Sequence, residues 1–317
     1  MRAGEFLGNI FSITDYGETH HLIRLLGLKI KVPKREFAQK RKESPYYNYK
    51  KNNIDITTIP PATGQIRDIQ LANFALLKEL DYVCKQNGLK YWLDFGTLLG
   101  AVRHKGYIPW DDDIDTAMPR EDYDKIIEAF KKSSRNPDIY ADYTRDRYDN
   151  YIIKVMHKKC SRLFVDIFPY DYCGKILTRE EQLTESDNIK QKRKLLMKES
   201  IKNKYDNDKL SDSIKNLNNE IINRSTYVEH SDLVWGTDYK HAWKNWFYSY
   251  DNIFPLKEIN FEGIQLNCVN KEKEHLEIIF GDYMAYPKKI GVGHSMFAVL
   301  DDNEKNVISE LIKRWKK

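Results

Sequence analysis

Four aspartates lie within five residues near the middle of the chain, Asp111, Asp112, Asp113 and Asp115. If Asp113 and Asp115 begin a β-strand, alternation places both carboxylates on one face and Ile114 on the other, toward the core. Carboxylate oxygens are the ligands that Mg²⁺ prefers in proteins. Because so many carboxylates would repel one another without a cation, the pattern predicts a site for one or two Mg²⁺ ions, with Mn²⁺ as a substitute.

A solvated acidic turn or a surface Ca²⁺ loop is the alternative interpretation of these aspartates. An EF-hand loop has a longer spacing that ends in glutamate, whereas Thr116 and Ala117 follow Asp115 here. The apolar strand residues on either side also argue against a solvated turn. The sequence therefore favours metal-dependent chemistry.

Gly96 and Thr97 lie between an expected strand and an expected helix, fifteen residues before the first aspartate. Glycine permits close approach to the backbone, and a helix N-terminus presents N–H groups to phosphate. Together with the aspartates, this pair predicts a nucleotidyltransferase-type site. The basic turn Arg103, His104 and Lys105 either binds donor phosphate or substrate, or balances the charge of the aspartates.

A third carboxylate is expected on a neighbouring strand, and Asp166 is the best candidate. It lies in the apolar run LFVDIF at residues 163–168. An aspartate in such a run is costly unless it is paired, liganded or protonated. The alternative is a structural aspartate that hydrogen bonds satisfy.

The composition is that of a soluble globular protein, with 317 residues, of which 41% are hydrophobic and 31% charged. This length predicts two domains or one large one. No apolar run approaches the ~20 residues that span a bilayer. The four cysteines show no CxxC spacing, which argues against a zinc site or a disulfide framework and favours a reducing cytosol.

Apolar periodicity and turn residues predict an α/β (α+β) fold, a mixed sheet flanked by helices. The expected helices are 68–88, a short helix or turn at 97–104, 119–132, one or two within 174–224, and 272–280. The expected strands are 91–95, 114–118, 151–156 and 162–168, with a hairpin in 255–269 that turns at Glu262 and Gly263.

We divide the chain into five segments. They are a basic amphipathic N-terminal extension (1–51), a linker (52–64), a nucleotidyltransferase-like catalytic core (65–173), a helical and aromatic insertion on the acceptor side (174–254), and a C-terminal hairpin with helices that complete the domain (255–317).

The N-terminal extension carries most of the positive charge. Between Arg24 and Lys42, eight basic residues and the single acid Glu36 give a net charge of +7. The whole chain has a net charge of +5, so the other residues sum to −2. Apolar residues alternate with basic ones there, and such segments are attracted to anionic lipid. Residues 22–42 therefore either bind an anionic membrane surface or form a hairpin that packs on the core. A nearly neutral body argues against a nucleic-acid partner.

The motif GTLLGAVRHKGYIPWDDDID at 96–115 resembles the LicD family, bacterial phosphocholine transferases related to fukutin and fukutin-related protein. Supporting matches are VDIFPYD at 165–171, INFEGIQL at 259–266 and EHLEIIFGDYMAYP at 274–287. The resemblance covers residues 65–290. It implies a nucleotidyltransferase fold that uses Mg²⁺.

The resemblance also implies a reaction and roles for residues. A phospho-alcohol, often phosphocholine, would pass from a CDP-linked donor to a glycan or lipid-linked glycan of lipopolysaccharide, capsule or teichoic acid, releasing CMP. Asp111, Asp113, Asp115 and Asp166 would bind metal, and Asp113, Asp115 and Asp166 would be catalytic. Asp166 would ligate a second ion, act as base on the acceptor hydroxyl, or do both. Thr97 stands where the family commonly has serine. Such an enzyme would be cytoplasmic, or peripheral on the inner face of the membrane.

Three alternatives remain open at this point. They are a CDP-glycerol or CDP-ribitol donor, a nucleotidyltransferase that transfers NMP, and a non-catalytic binding scaffold. A choline head group would lie against aromatic faces. The candidates are Tyr107, Trp110 and the Trp235–Tyr250 cluster, which includes Trp243 and Trp246. Core packing is the alternative role of that cluster.

Overall fold

The computed structural model describes residues 11–16, 20–25, 28–33, 45–145, 151–206, 209–210, 212–214, 216–217, 228–236, 246–288, 290 and 299–315. The chain divides into two compact units. One comprises Met1–Ile59 with Tyr286–Val292, and the other comprises Pro60–Ala285 with Gly293–Lys317.

The first unit contains a three-stranded antiparallel sheet in the order β1–β2–β3. Its strands are β1 (Phe11–Tyr16), β2 (His20–Leu25) and β3 (Leu28–Pro33). Helix α1 (Pro45–Lys51) and a 3₁₀ turn (Ile56–Thr58) follow. The alternating segment before Lys34 therefore forms strands. The basic residues from Lys34 to Lys42 lie outside the described residues.

The second unit contains the remaining elements. Its helices are α2 (Gly64–Asn87), α3 (Phe95–His104), α4 (Arg120–Tyr123), α5 (Ile126–Ser133), α6 (Arg179–Lys202), α7 (Tyr250–Ile253), α8 (Glu272–Phe280) and α9 (Asp302–Trp315). Its strands are β4 (Trp92–Leu93), β5 (Asp115–Pro119), β6 (Ile139–Arg145), β7 (Tyr151–His157), β8 (Cys160–Tyr172), β9 (Leu233–Trp235), β10 (Trp246–Tyr248), β11 (Lys257–Phe261) and β12 (Ile264–Cys268).

Seven of these strands form one mixed sheet around β8. The order β10–β9–β8–β5–β4 runs across it, and β7 pairs with β8 and carries β6 at its other side. Strand β5 is parallel to β8, whereas β7 and β9 are antiparallel to it. Strands β11 and β12 form a separate hairpin. The mixed α/β sheet flanked by helices confirms the predicted fold class.

Helix α2 supplies much of the core. Its residues Ile69, Leu76, Leu77, Leu80 and Val83 are buried at helical spacing, and the helix packs on α5, α9, β7 and β8. Burying a large aliphatic side chain stabilises the fold by about 1.5–3 kcal/mol. Among the described helices, none has the length and apolar character needed to cross a membrane.

Several predicted boundaries differ from the structure. Helix α2 begins at Gly64 rather than Asp68, but it ends as predicted, with Gly88 in the left-handed conformation at φ 65°. The strand predicted for 91–95 is shorter, because Asp94 caps helix α3, which already begins at Phe95. The structure confirms the hairpin turn and the end of α8 at Gly281.

Other differences concern elements that the pattern did not separate. The helix predicted for 119–132 is two helices, α4 and α5, that meet at Asp124 and Lys125. Strand β8 extends well beyond the predicted 162–168, since its two ends pair with different neighbours. Sequence patterns did not predict β6, β9 or β10, of which β9 and β10 have only three residues each.

We predict that Gly100→Ala destabilises the protein. A Cβ at Gly100 in α3 would lie 2.4 Å from the carbonyl oxygen of Gly106, where the following loop folds back on the helix. Overpacking of this kind typically costs about 1–3 kcal/mol, which urea unfolding would measure. Gly281→Ala is the control, because it has open space and strains only the backbone. A Gly100→Ala variant no less stable than wild type would contradict this close approach.

Candidate active site

Two of the predicted carboxylates lie side by side in the sheet. Asp115 opens β5 and pairs in parallel register with Asp166 of β8. The backbone N–H of Asp166 donates to the carbonyl oxygen of Ile114 at 2.8 Å. Neighbouring strands are about 4.8 Å apart and paired residues share a face, so the two carboxylates belong to one site.

The start of α3 meets these carboxylates directly. The backbone N–H of Gly96 donates to Asp115 Oδ2 at 3.3 Å, and Thr97 Oγ1 accepts from the backbone N–H of Asp115 at 2.8 Å. A Cβ at Gly96 would lie 3.0 Å from Asp111 Oδ2. The structure therefore brings together Gly96, Thr97, Asp111 and Asp115, the predicted phosphate and metal halves.

Burial, followed by the mutual repulsion of the carboxylates, dominates the electrostatics of this cluster. Burial raises the pKa of Asp111 well above its usual range, and the charge of Asp113 raises that pKa further. Burial likewise raises the pKa of Asp115, followed by the charges of Asp113, Asp166 and Asp94, while the hydrogen bond from Gly96 lowers it. A bound cation would relieve this repulsion.

Lys154 supplies one positive charge at the site. Its Nζ lies 2.7 Å from Asp166 Oδ1, and both side chains are mostly buried. The register of β7 and β8 pairs Lys154 directly with Asp166. Asp166 is therefore paired, one of the three conditions under which an aspartate is tolerated at that position.

Two buried polar side chains of α2 form hydrogen bonds with the backbone of the aspartate loop, the segment 111–113 before β5. Gln70 Nε2 donates to the carbonyl oxygen of Asp111 at 2.7 Å, and Asn73 Nδ2 donates to that of Asp112 at 2.8 Å. Asn73 Oδ1 also accepts from the backbone N–H of Phe164 in β8 at 3.0 Å. Helix α2 thereby fixes the loop relative to the sheet.

Glu262, at the tip of the β11–β12 hairpin, forms hydrogen bonds with the segment that connects α3 to the aspartate loop. Glu262 accepts hydrogen bonds from both terminal nitrogens of Arg67, at 3.0 and 2.6 Å, and one from the backbone N–H of Tyr107 at 3.2 Å. Its own N–H donates to the carbonyl oxygen of Lys105 at 2.9 Å. A Cβ at Gly106 would collide with the Glu262 carboxylate.

The carboxylates suit a hard divalent cation, although they are not arranged as a finished metal site. Within the described ranges, no group of three or more His, Cys, Asp or Glu side chains is close enough to hold an ion. The donor set is nevertheless all oxygen and partly buried, and the charges of its members raise the pKa of Asp111 and of Asp115. Mg²⁺ is typically held by one or two carboxylates together with substrate phosphates and water, and the residues present fit that requirement.

The structure does not bring the basic turn to this end of α3. Arg103, His104 and Lys105 lie at the opposite end of the helix, about 12 Å from Gly96 at 1.5 Å per residue. Arg103 is buried and donates to the carbonyl oxygen of Tyr283 at 2.9 Å. Burial, reinforced by the charge of Arg103, lowers the pKa of His104 to about 4, so it is neutral at pH 7.

The aromatic candidates separate into two groups. Tyr107 and Trp110 are buried, and the hydroxyl of Tyr107 donates to the carbonyl oxygen of Gln70. Trp246 is partly exposed, and its ring centroid is 5.8 Å from that of Phe95, the residue before Gly96. Trp243 lies outside the described residues.

Sequence reasoning missed several residues that shape the site. They are Gln70, Asn73, Asp94, Phe95, Lys154, Phe168, Glu262 and His275. Some left a detectable signal, because Gln70 and Asn73 interrupt the apolar face of a buried helix. Lys154 lies within an apolar strand, but only the register reveals that it faces Asp166.

Comparisons with known proteins find similarity to one family and to several of its members. Residues 88–200 match the family model described as LicD/FKTN/FKRP, nucleotidyltransferase domain. The chain is 30% identical over 247 residues to the lipopolysaccharide cholinephosphotransferase LicD of Haemophilus influenzae. The alignment covers 70% of this chain and 92% of that protein. It is 25% identical over 108 residues to the human ribitol 5-phosphate transferase FKRP, covering 34% of this chain and 22% of that protein.

We predict that Asp111→Asn stabilises the metal-free protein. A carboxyl whose pKa is raised by folding favours the folded state at low pH, and this contribution is lost as pH rises through the raised value. Removing one charge should therefore raise the melting temperature in EDTA at pH 7.5 by about 2–4 °C, the equivalent of about 1 kcal/mol. The gain should shrink in acid, where wild-type carboxyls are protonated.

Addition of Mg²⁺ should reverse the order, since wild type keeps the full carboxylate set and Asp111→Asn does not. Calorimetric or fluorescence melting with and without Mg²⁺ measures both effects. Asp302→Asn is the control, because the Asp302 side chain is 98% exposed and lies outside the site. Lower stability of Asp111→Asn in EDTA, or an equal response to Mg²⁺, would contradict the account.

Proposed function

Because the chain belongs to the LicD family of phosphotransferases, we propose that it transfers phosphocholine from CDP-choline to a hydroxyl of a bacterial cell-surface glycan, releasing CMP in a Mg²⁺-dependent reaction. The family membership rests on the similarity to LicD of Haemophilus influenzae, because the alignment covers 92% of that protein. That relative is named for phosphocholine transfer to lipopolysaccharide, and a more distant one for ribitol 5-phosphate transfer. Whether phosphocholine or ribitol 5-phosphate is the transferred group depends on the side chains around the carboxylates.

The observation that carries the choice of phosphocholine is an aromatic cluster beside the carboxylates, formed by Phe95, Phe168, Trp235 and Trp246. Ring centroids of Phe95 and Phe168 are 5.2 Å apart, those of Phe95 and Trp235 are 5.2 Å apart, and those of the two tryptophans are 4.8 Å apart. All but Trp235 are partly exposed.

Two features support a position of the aromatic cluster beside the turn that we propose to bind phosphate. Phe95 immediately precedes Gly96, and Phe168 lies two residues after Asp166 on β8, hence on the same face of the sheet. Aromatic faces attract quaternary ammonium groups, with Trp the most effective. A polyol such as ribitol would instead require hydrogen-bonding groups, so the aromatic cluster favours choline.

The remaining residues fit an in-line displacement at phosphorus. The acceptor hydroxyl oxygen attacks the phosphorus that bears choline, the bond from that phosphorus to the oxygen bridging to CMP breaks, and CMP leaves. We assign the carboxylate of Asp166 as acceptor of the hydroxyl proton, with Lys154 positioning it, and the N–H groups at the start of α3 as the contacts for donor phosphate.

Asp111, Asp113 and Asp115 would hold Mg²⁺ together with the donor phosphates. The ion would neutralise charge on the phosphate oxygens during transfer. Asp115 is oriented for this role by Gly96 and Thr97.

The first test is CMP release by the purified protein. Wild type with Mg²⁺ and candidate glycans should release CMP from CDP-choline faster than from CDP-ribitol or CDP-glycerol, and EDTA should abolish release. Asp115→Asn should reduce turnover at least 100-fold, whereas Asp302→Asn should not. A preference for CDP-ribitol or CDP-glycerol would identify a polyol-phosphate transferase, and no release from any donor with every plausible acceptor would refute the proposal.

We predict that Trp246→Leu selectively weakens use of the choline donor. A cation–π contact is worth about 0.5–2 kcal/mol, so the KM for CDP-choline should rise about 3- to 30-fold. Inhibition by CMP, which lacks choline, should not change. Phe280→Leu, at a 43% exposed position of α8, is the control. An equal loss of affinity for CMP and CDP-choline would show that Trp246 does not contact the choline group.

We also propose that the basic strands of the first unit bind an anionic membrane surface. The register of β2 and β3 pairs Arg24 with Lys29 and Leu22 with Lys31. Like charges at paired positions repel, and an anionic surface offsets that cost. Such a surface is where a lipid-linked glycan acceptor would be found, so the enzyme would be peripheral on the inner face of the cytoplasmic membrane.

Vesicle flotation tests this attachment. Wild type should float with vesicles that contain phosphatidylglycerol and not with pure phosphatidylcholine. Replacing Arg24, Lys29 and Lys31 by glutamine should weaken partitioning about 100-fold, at about 1 kcal/mol per charge. The matched control replaces Lys190, Lys194 and Lys198, which are exposed on α6, by glutamine. Equal losses in the two triple variants, or no flotation of wild type, would refute the assignment.

A further inference from the structure

The residue that precedes the phosphate-binding turn is a fully buried carboxylate. Asp94 is 0% exposed, and its Oδ1 accepts from the backbone N–H of Phe95 at 2.8 Å. Phe95 has φ 40°, in the left-handed region that side chains other than glycine rarely occupy. Such conformations persist only where the surroundings hold them, and they cluster at functional sites.

This strained turn determines two features of the proposed site at once. The side chain of Phe95 lies within the aromatic cluster, and the next N–H, that of Gly96, points to Asp115 Oδ2. A change of φ at Phe95 would rotate both the Phe95 side chain and the Gly96 N–H group. Whatever holds Asp94 therefore controls where the donor's alcohol and phosphate are bound.

Two buried donors hold Asp94. Its Oδ2 accepts from the hydroxyl of Tyr170 at 2.6 Å, and its Oδ1 accepts from Nε2 of His275 at 2.9 Å. A carboxylate only accepts hydrogen bonds, so Nε2 of His275 carries a proton. Hydrogen bonds to an ionised group are stronger than neutral ones, and this one connects residues that are 181 positions apart.

His275 is itself held rigidly. It is 0% exposed on α8, and its ring stacks on Tyr248 with centroids 4.3 Å apart and planes at 20°. Its Nδ1 is 3.0 Å from Asn252 Oδ1, while Asn252 Nδ2 finds no acceptor within the described part of the chain. Rotating that amide would let Nδ2 donate to Nδ1. In both arrangements Nε2 remains the donor to Asp94.

We propose that His275 is a positioning residue for the donor, acting through Asp94 on the turn at Phe95 and Gly96. This inference rests on the proposed function, because it assigns what that turn binds. His275 touches neither donor nor acceptor. It holds the carboxylate that holds the left-handed turn, and the buried hydrogen-bond chain Asn252–His275–Asp94 links α7 and α8 to the start of α3.

The test is a double-mutant cycle measured with the whole 317-residue chain. The variants are His275→Leu, His275→Gln, Asp94→Asn and the double variant Asp94→Asn/His275→Leu. Steady-state kinetics give the KM for CDP-choline and for the glycan separately, and calorimetry gives the Kd for CMP. His157→Gln is the control, because His157 is a buried histidine of β7 whose ring accepts from the backbone N–H of Lys159.

The account predicts that His275→Leu raises the KM for CDP-choline and the Kd for CMP at least 10-fold without changing the KM for the glycan. His275→Gln, which retains a donor, should recover to within about 3-fold of wild type. In the double variant, the KM for CDP-choline and the Kd for CMP should rise no further than in the more severely affected single variant, because both substitutions remove the same interaction. If His275→Leu does not fold, His275→Asn, which is too short to reach Asp94, replaces it.

Three results would overturn the inference. They are additive losses in the double variant, equal increases in the two KM values, and loss of stability alone, as expected for His157→Gln. Failure of the proposed function is a separate result, since wild type would then release no CMP from any donor. The CMP Kd values would still test positioning in that case.

Discussion

The structure depends on keeping several carboxylates together in one partly buried site. Asp115 opens β5 and pairs with Asp166 within the parallel strand β8, and Asp111 lies close to Gly96 in the loop that precedes β5. Burial and mutual repulsion raise the pKa of Asp111 and Asp115. A fold does not retain this arrangement for stability, because each charge disfavours the next. We propose that this repulsion is offset when a cation and the donor phosphate bind to the carboxylates.

Much of the surrounding structure serves to offset this repulsion or to prevent the loop from relaxing. Gln70 and Asn73 fix the backbone of the aspartate loop, and Glu262 fixes the segment before it. Lys154 neutralises Asp166. These contacts come from elements far apart in sequence, and they explain why the first motif of the family resemblance occurs together with the later hairpin and α8 motifs. Those motifs form the support of the same site.

Local chemistry was predictable from the sequence, whereas long-range pairing was not. The aspartates, Gly96 and Thr97 were identified because their types and spacing have a direct chemical meaning, and the structure brings Gly96, Thr97, Asp111 and Asp115 into contact. The basic turn at Arg103 lies at the far end of a ten-residue helix from Gly96, a separation that the sequence spacing did not show, and its role in binding phosphate stays a prediction. Lys154 and His275 became visible only through register and tertiary contacts, as did the role of Phe95, whose left-handed conformation no propensity indicates.

We propose that the carboxylates of β5 and its preceding loop form a divalent-cation site for phosphoryl transfer. The most direct measurement is a crystal structure of the protein with Mn²⁺ and CMP, with the anomalous signal of manganese used to locate the ion. The account predicts a peak within about 2.0–2.3 Å of carboxylate oxygens of Asp113 and Asp115, next to the CMP phosphate and the N–H of Gly96. CMP bound at the start of α3 with no ion on these carboxylates, or an ion bound elsewhere, would contradict it.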